Sequence, residues 1–147
     1  MFTRIINKEE ENTSYSIQDL INILKENPAI KECGAIFTFE GIVRGKEGDV
    51  NVDKLLLKTG DINKTEAELE HIAINIKDKY GVKDIAVVHY IGEFDISDDL
   101  FLVAISGAHR GETRDALKEL IEKVKFELDF EKEEFSNKGS KVILSGG

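Results

Sequence analysis

The chain has 147 residues, 41% of them hydrophobic, and 20 basic against 29 acidic side chains leave a formal net charge of -9 and a pI near 4.9. That length fits one domain with a real core, residues 1–147, and is short for two. The acidic balance argues against a nucleic-acid binder, no apolar run approaches the roughly 18 to 20 residues that span a bilayer, and Met1-Phe2-Thr3-Arg4 leads into a strand rather than a signal peptide, so a cytoplasmic location is expected.

Phe2 to Asn7 reads as an opening strand. Ser14 or Ser16 caps a helix whose apolar face is Ile17, Leu20, Ile21 and Leu24, and Asn27-Pro28 ends it. Cys33 to Arg44, CGAIFTFEGIVR, is a buried strand in which Gly41 marks a bulge or a close backbone approach. Gly45 to Asp49 is a turn-rich loop, and Val50 to Lys58 returns as a strand. A second helix starts at Asn63 or Thr65, buries Leu69, Ile72, Ile76 and, at its end, Tyr80, and stops at Gly81. Val82 to Ile91 and Leu100 to Ser106 are the strongest core strands, joined by a polar connection from Gly92 to Asp99. Asp95, Asp98 and Asp99 lack the spacing of a calcium loop and read as a solvated turn.

The third helix begins near Gly111 or Thr113 and puts Leu117, Leu120, Ile121, Val124 and Leu128 on one face, with Lys125 at its margin. Phe130 to Asn137 reads as an edge strand and Lys141 to Leu144 as a short final strand or a tail. One strand pair between successive helices predicts a two-layer α+β domain with a mainly antiparallel sheet, because a doubly wound parallel sheet needs strict alternation.

Cys33 is the only cysteine, which excludes an internal disulfide and a cysteine metal cage; it reads as a small buried hydrophobe. His71, His89 and His109 lack zinc spacing, His71 reads as a surface or boundary residue, and no metal site is expected. With no GxxxxGK[ST] or GxGxxG after a strand, no nucleotide cofactor is expected either. Two strand ends deliver cations to loops, Arg44 after GIV and His109-Arg110 after AISGA, and together they make a plausible anion clamp. Gly107 and Gly111 permit close backbone approach at the start of the third helix, whose free N–H groups suit an anionic ligand.

The stretch Val103 to Lys132 is expected to hold His109, Arg110, Arg114, Lys125 and Lys132 close together. If the chain folds back at Leu128-Asp129, the Lys125 and Lys132 amines face one pocket, where partial desolvation and a neighbouring cation favour a proton acceptor or nucleophile. The alternative is that they are ordinary solubilising lysines in a segment crowded with Glu122, Glu127, Glu131, Glu133 and Glu134.

GAIFTFEGIVRG, IGEFDISDDLFLVAISGAHR and the helix ending VKFELDFEKEE together resemble, in order and separation, the large catalytic subunit family of molybdopterin synthase. The resemblance covers roughly Ile17 to Glu134. It implies an α/β hammerhead fold with an additional antiparallel subdomain, and sulfur transfer in the synthesis of the molybdenum or tungsten cofactor. It also implies a homodimer whose protomers each bind a small ubiquitin-like sulfur-carrier subunit, giving a heterotetramer. That carrier's Gly-Gly thiocarboxylate would deliver two sulfurs to cyclic pyranopterin monophosphate.

By motif, the substrate-binding residues would be Ile42, Val43, Arg44, His109, Arg110, Lys125, Lys132, Glu133 and Glu134, with Lys125 and Lys132 catalytic. Departures from the family pattern are Ile42 in place of a threonine, Asp129 in place of a proline, Glu131 in place of an aromatic and Glu133 in place of a basic residue. Those acidic changes suggest an alternative, a non-catalytic anion-binding or scaffold homologue that keeps the fold and dimer. Ser145-Gly146-Gly147 looks like the carrier's own terminus; the plain reading is a tail, the other a mimic of the partner.

Overall fold

The structure, a computed structural model, describes residues 1–143; the expected strand end at Leu144 and the Ser145-Gly146-Gly147 terminus lie outside them. In chain order the elements are β1 (Phe2–Asn7), α1 (Ile17–Glu26), a 3₁₀ turn (Pro28–Glu32), β2 (Ala35–Ile42), β3 (Lys46–Glu47), β4 (Val50–Lys58) and α2 (Ile62–Tyr80). There follow β5 (Asp84–Asp95), β6 (Asp99–Gly107), α3 (Arg110–Glu127), β7 (Glu131–Ser136) and β8 (Gly139–Ile143).

The helix starts follow local chemistry. Ser16 accepts from the Asp19 N–H at 3.1 Å while Asp19 accepts from the Ser16 N–H at 2.8 Å, a reciprocal cap that fixes the entry of α1. Asp61, not Asn63 or Thr65, caps α2 by accepting from Asn63 and Lys64. Gly81 ends α2 in the left-handed conformation, φ 67°, which a residue with a Cβ adopts only with strain.

Among the described residues eight strands form one sheet in the order β2-β6-β5-β4-β7-β8, with β1 parallel to β5, β3 on β4, and every other pairing antiparallel. The α+β class and mainly antiparallel sheet are those expected. β5 is the spine: it runs past the expected end at Ile91 to Asp95, pairing β6 through Asp84–His89, β1 through Ala86–Ile91, and β4 from Gly92 onward. At the changeover Gly92 has φ 116°. A bulge falls at Gly41/Ile42, as the glycine suggested.

Alternate residues of β5 point to opposite faces. Asp84 and Tyr90 meet the α1 side, through Asn27 and Tyr15, whereas His89 faces Phe130 just beyond α3. Nine consecutive residues, Asp84–Gly92, are buried, as a strand covered on both faces requires. Leu117, Leu120 and Val124 of α3 join the same core as Leu69 and Ile76 of α2. Each such side chain contributes on the order of 1.5–3 kcal/mol by leaving water.

Further expectations are corrected. Cys33 to Arg44 is not a buried strand, because β2 ends the sheet beside β6 and none of Ala35–Ile42 is fully buried. Phe130 to Asn137 is not an edge, because β7 lies between β4 and β8. The Gly45 to Asp49 loop contains the short strand β3, paired with β4. Cys33 is half-buried rather than buried; its thiol lies 3.4 Å from the Ala29 carbonyl.

Candidate functional site

A cleft of about 1020 Å³ opens between the β2-β6-β5 part of the sheet and the β4-β7-β8 part, with the end of α3 at its rim. Arg44 reaches it from the turn after β2, Lys125 from the last turn of α3, and Lys132 from β7. Ile42, Val43 and Glu134 also line it. The chain does fold back after Leu128, and so brings the two lysines to one cavity.

The strand register decides which acidic residues share that space. Lys132 pairs with Leu57 and Glu134 with Leu55 across β4 and β7, and both leucines are buried in the cleft wall. By alternation Glu131 and Glu133 stand on the opposite face, away from the cleft. Glu133 is therefore not brought together with Lys132, and the acidic departures at 131 and 133 do not surround the anion site. Glu134 does enter, and its Oε1 is 3.4 Å from Lys132 Nζ. Among the described residues the lining holds five cations, Arg44, Lys125, Lys132, Lys138 and Lys141, against three carboxylates, Glu40, Glu47 and Glu134. A cationic cleft in an acidic chain selects anions through local field rather than net charge.

His109 and Arg110 are elsewhere. They are exposed at the start of α3, whereas Lys125 is near its end; fifteen residues at a rise of 1.5 Å separate Arg110 from Lys125 by about 22 Å. The expected island of His109, Arg110, Arg114, Lys125 and Lys132 is thus split by the length of a helix. The start of α3 already has an anion, since the Glu112 carboxylate accepts from the His109 N–H at 3.0 Å. Nor does Gly107 make room for a ligand: its missing Cβ is filled by the Thr113 hydroxyl.

An aromatic column was missed in the sequence. Phe39, Phe101, His89 and Phe130 line the cleft, with centroid separations of 5.8 Å for Phe39–Phe101, 5.0 Å for His89–Phe101 and 4.5 Å for His89–Phe130. Burial pushes the His89 imidazole down to a pKa of about 4, so it is neutral at physiological pH. The available signal was a histidine inside the apolar run IAVVHYI, where a polar residue needs a reason.

Among the described residues no group of three or more His, Cys, Asp or Glu side chains is arranged to hold a metal ion, and no helix is long and apolar enough to cross a membrane.

The fold is thus that of an α+β protein whose mainly antiparallel sheet carries a cationic cleft lined by Lys125 and Lys132. The MoaE protein family model matches residues 10–127. The molybdopterin synthase catalytic subunit of Thermoplasma volcanium is 30% identical over 138 residues, 92% of this chain and 97% of that protein. Molybdopterin synthase from Staphylococcus aureus superposes with a TM-score of 0.80 at 27% identity over 96% of both chains. A protein-protein complex of subunits 1 and 2 of molybdopterin-converting factor from Helicobacter pylori shares the fold, with a TM-score of 0.68 at 23% identity over 96% of this chain and 88% of that one. The chain belongs to the MoaE protein family. It is a homologue of the molybdopterin synthase catalytic subunit, with a role in molybdenum-cofactor biosynthesis.

Proposed function

We propose that the cleft is a sulfur-transfer site, in which the thiocarboxylated C-terminus of a small ubiquitin-like subunit donates sulfur to cyclic pyranopterin monophosphate, forming the dithiolene of molybdopterin in the cytoplasm. The observation that carries this reading is the convergence of Arg44, Lys125 and Lys132 from three separate elements on one cavity. The Arg44 fork suits the cyclic phosphate. Lys125 and Lys132 stabilise the charge that develops as each thiocarboxylate sulfur adds to the pterin side chain and displaces an oxygen, after which water cleaves the acyl–sulfur bond and releases the carrier as a carboxylate, and they move the protons that these steps require. The nucleophile belongs to the partner, so the half-buried Cys33 has no part in the reaction. A partner subunit is in keeping with the two-subunit complex of the Helicobacter pylori neighbour.

The reading gives His109 and Arg110 a role only if they serve another copy of the chain. At about 22 Å from Lys125 they cannot close the clamp within one protomer. A homodimer in which each copy lends this pair to the other's cleft completes the anion site, and two carriers then make a heterotetramer. Residues 1–147 act in it as one domain.

Reconstitution with a thiocarboxylated carrier and the cyclic precursor tests the function. Lys125→Ala and Lys132→Ala are each expected to lower turnover about 100-fold or more, the range of a lost proton-transfer or oxyanion-stabilising group. Full turnover in both variants would overturn the assignment.

A further inference from the structure

His89 sits where β5 crosses the base of the cleft, paired with Phe101 on β6 and with Ile5 on β1. Its ring packs against Phe130 at 4.5 Å and Phe101 at 5.0 Å, so the plane of the imidazole is set by its neighbours. Nδ1 is 2.8 Å from the Tyr90 carbonyl oxygen. A carbonyl only accepts, so Nδ1 carries the hydrogen, and in a neutral ring Nε2 is left with a lone pair. Nε2 makes no hydrogen bond among the described residues, and the one buried polar side-chain atom without a partner among them is Ser106 Oγ. Nε2 is therefore not sealed in the core, and the cavity that His89 lines is the cleft.

The other polar groups there are of a different kind. Arg44, Lys125 and Lys132 only donate. Glu134 is engaged by Lys132, Glu47 by Arg44 at 3.2 Å, and the Ser136 hydroxyl by Gly139 and Lys138, while the third carboxylate of the lining, Glu40, is a charged acceptor exposed on edge strand β2 and not on the aromatic floor. A neutral, oriented acceptor on an aromatic floor matches a flat heterocycle that presents N–H groups at its edge, and a charged acceptor in the same place would instead attract the lysines. We infer that Nε2 of His89 accepts a hydrogen bond from an N–H of the bound pterin precursor, and as a positioning residue fixes the heterocycle relative to Lys125 and Lys132. This rests on the sulfur-transfer reading and adds to it the group that orients the ring rather than the phosphate.

The test uses the precursor with the full-length protein, and reads binding by calorimetry as well as turnover with the carrier. His89→Phe keeps the aromatic packing and removes the acceptor; it is expected to melt cooperatively and to weaken precursor binding by ~10-fold or more, as for a buried polar partner left unpaired. His89→Gln, whose side-chain oxygen can accept, is expected to recover part of that loss. Wild-type protein labelled with ¹⁵N-histidine provides a readout independent of any variant: the His89 Nε2 resonance shifts when a donor reaches it. If wild type binds the precursor but His89→Phe binds equally well, or the resonance does not move, the inference is overturned and the sulfur-transfer reading stands. If wild type binds no precursor, both fall.

Discussion

Glu134 holds Lys132 on the cleft face of β7, with Oε1 3.4 Å from Nζ and both side chains largely shielded from solvent. An anion approaching Lys132 meets that carboxylate as well. Glu134→Gln is expected to tighten precursor binding severalfold, because a partly screened repulsion of ~1 kcal/mol is removed, and to lower turnover because Lys132 loses its orientation. Calorimetry and steady-state kinetics on the same preparation check both signs; weaker binding with unchanged turnover would contradict the arrangement.

Strand alternation supplies a sharper contrast. Glu133→Lys reverses a charge on the outer face of β7 and is expected to leave turnover within about twofold, surface substitutions away from a site being close to neutral. Glu134→Lys replaces a carboxylate by a sixth cation in the cleft, beside Leu55 and Lys132, and is expected to reduce turnover strongly. Equal effects of the two would mean that the β4–β7 register differs from the one described.

Exchange of His109 and Arg110 between copies is open to complementation. Arg110→Ala and Lys125→Ala proteins are each expected to be poorly active. Unfolded and refolded together, they pair at random, and about a quarter of the sites combine an intact Lys125 from one copy with an intact Arg110 from the other. Recovery of about that fraction of wild-type turnover supports the shared site, and no recovery argues against it.

The His89 imidazole also links stability to pH. In the folded chain it takes up a proton only near pH 4, against about 6.5 when unfolded, so between those values the unfolded state binds more protons. Stability attributable to this residue is present above pH 6.5 and is lost as the pH falls towards 4, by ~3 kcal/mol over the whole window. Urea midpoints from pH 4 to 7 are expected to fall less steeply for His89→Phe than for wild type. Parallel slopes would show that the ring is not held neutral in the fold.

Gly107→Ala is expected to destabilise the protein by about 1–3 kcal/mol, since the added methyl group meets the Thr113 hydroxyl. Thr113→Ala costs a hydrogen bond to the His109 carbonyl but clears the space. The double variant is therefore expected to be more stable than the sum of the two single losses, and thermal melts of all four proteins close the cycle.

Much of the fold is written locally. Val50–Lys58 alternates as a strand and forms β4 with those bounds, and Ser16 and Gly81 carry the chemistry of a helix start and a helix stop. The central place of β5 and the interior place of β7 are not local, because pairing depends on partners up to about eighty residues away, such as Asn51 and Asn137. The same distinction divides the site. That Lys125 and Lys132 meet follows from a helix end and a reversal, whereas Glu133 facing out and Glu134 facing in follows only from the register against Leu55 and Leu57. The separation of His109 from Lys125 was calculable from helix rise alone; proximity in sequence concealed it. His89 escaped notice because, in an apolar run, nothing local distinguishes a core histidine from one that lines a cavity.

Gly92 acts as the corner post of the site. The wall bearing His89 and the wall bearing Leu57 belong to strands that both hang on β5, and one passes to the other at this residue, where Leu57 pairs with it at φ 116°. The sheet therefore passes from one wall to the other at a φ that a residue with a Cβ adopts only with strain, although the space beside it is ordinary, with Asn7 Oδ1 and Glu9 Oε1 each 3.5 Å from where that Cβ would lie. A side chain at position 92 is thus expected to act on the cleft through the backbone, by shifting β4 relative to β6, rather than by filling it.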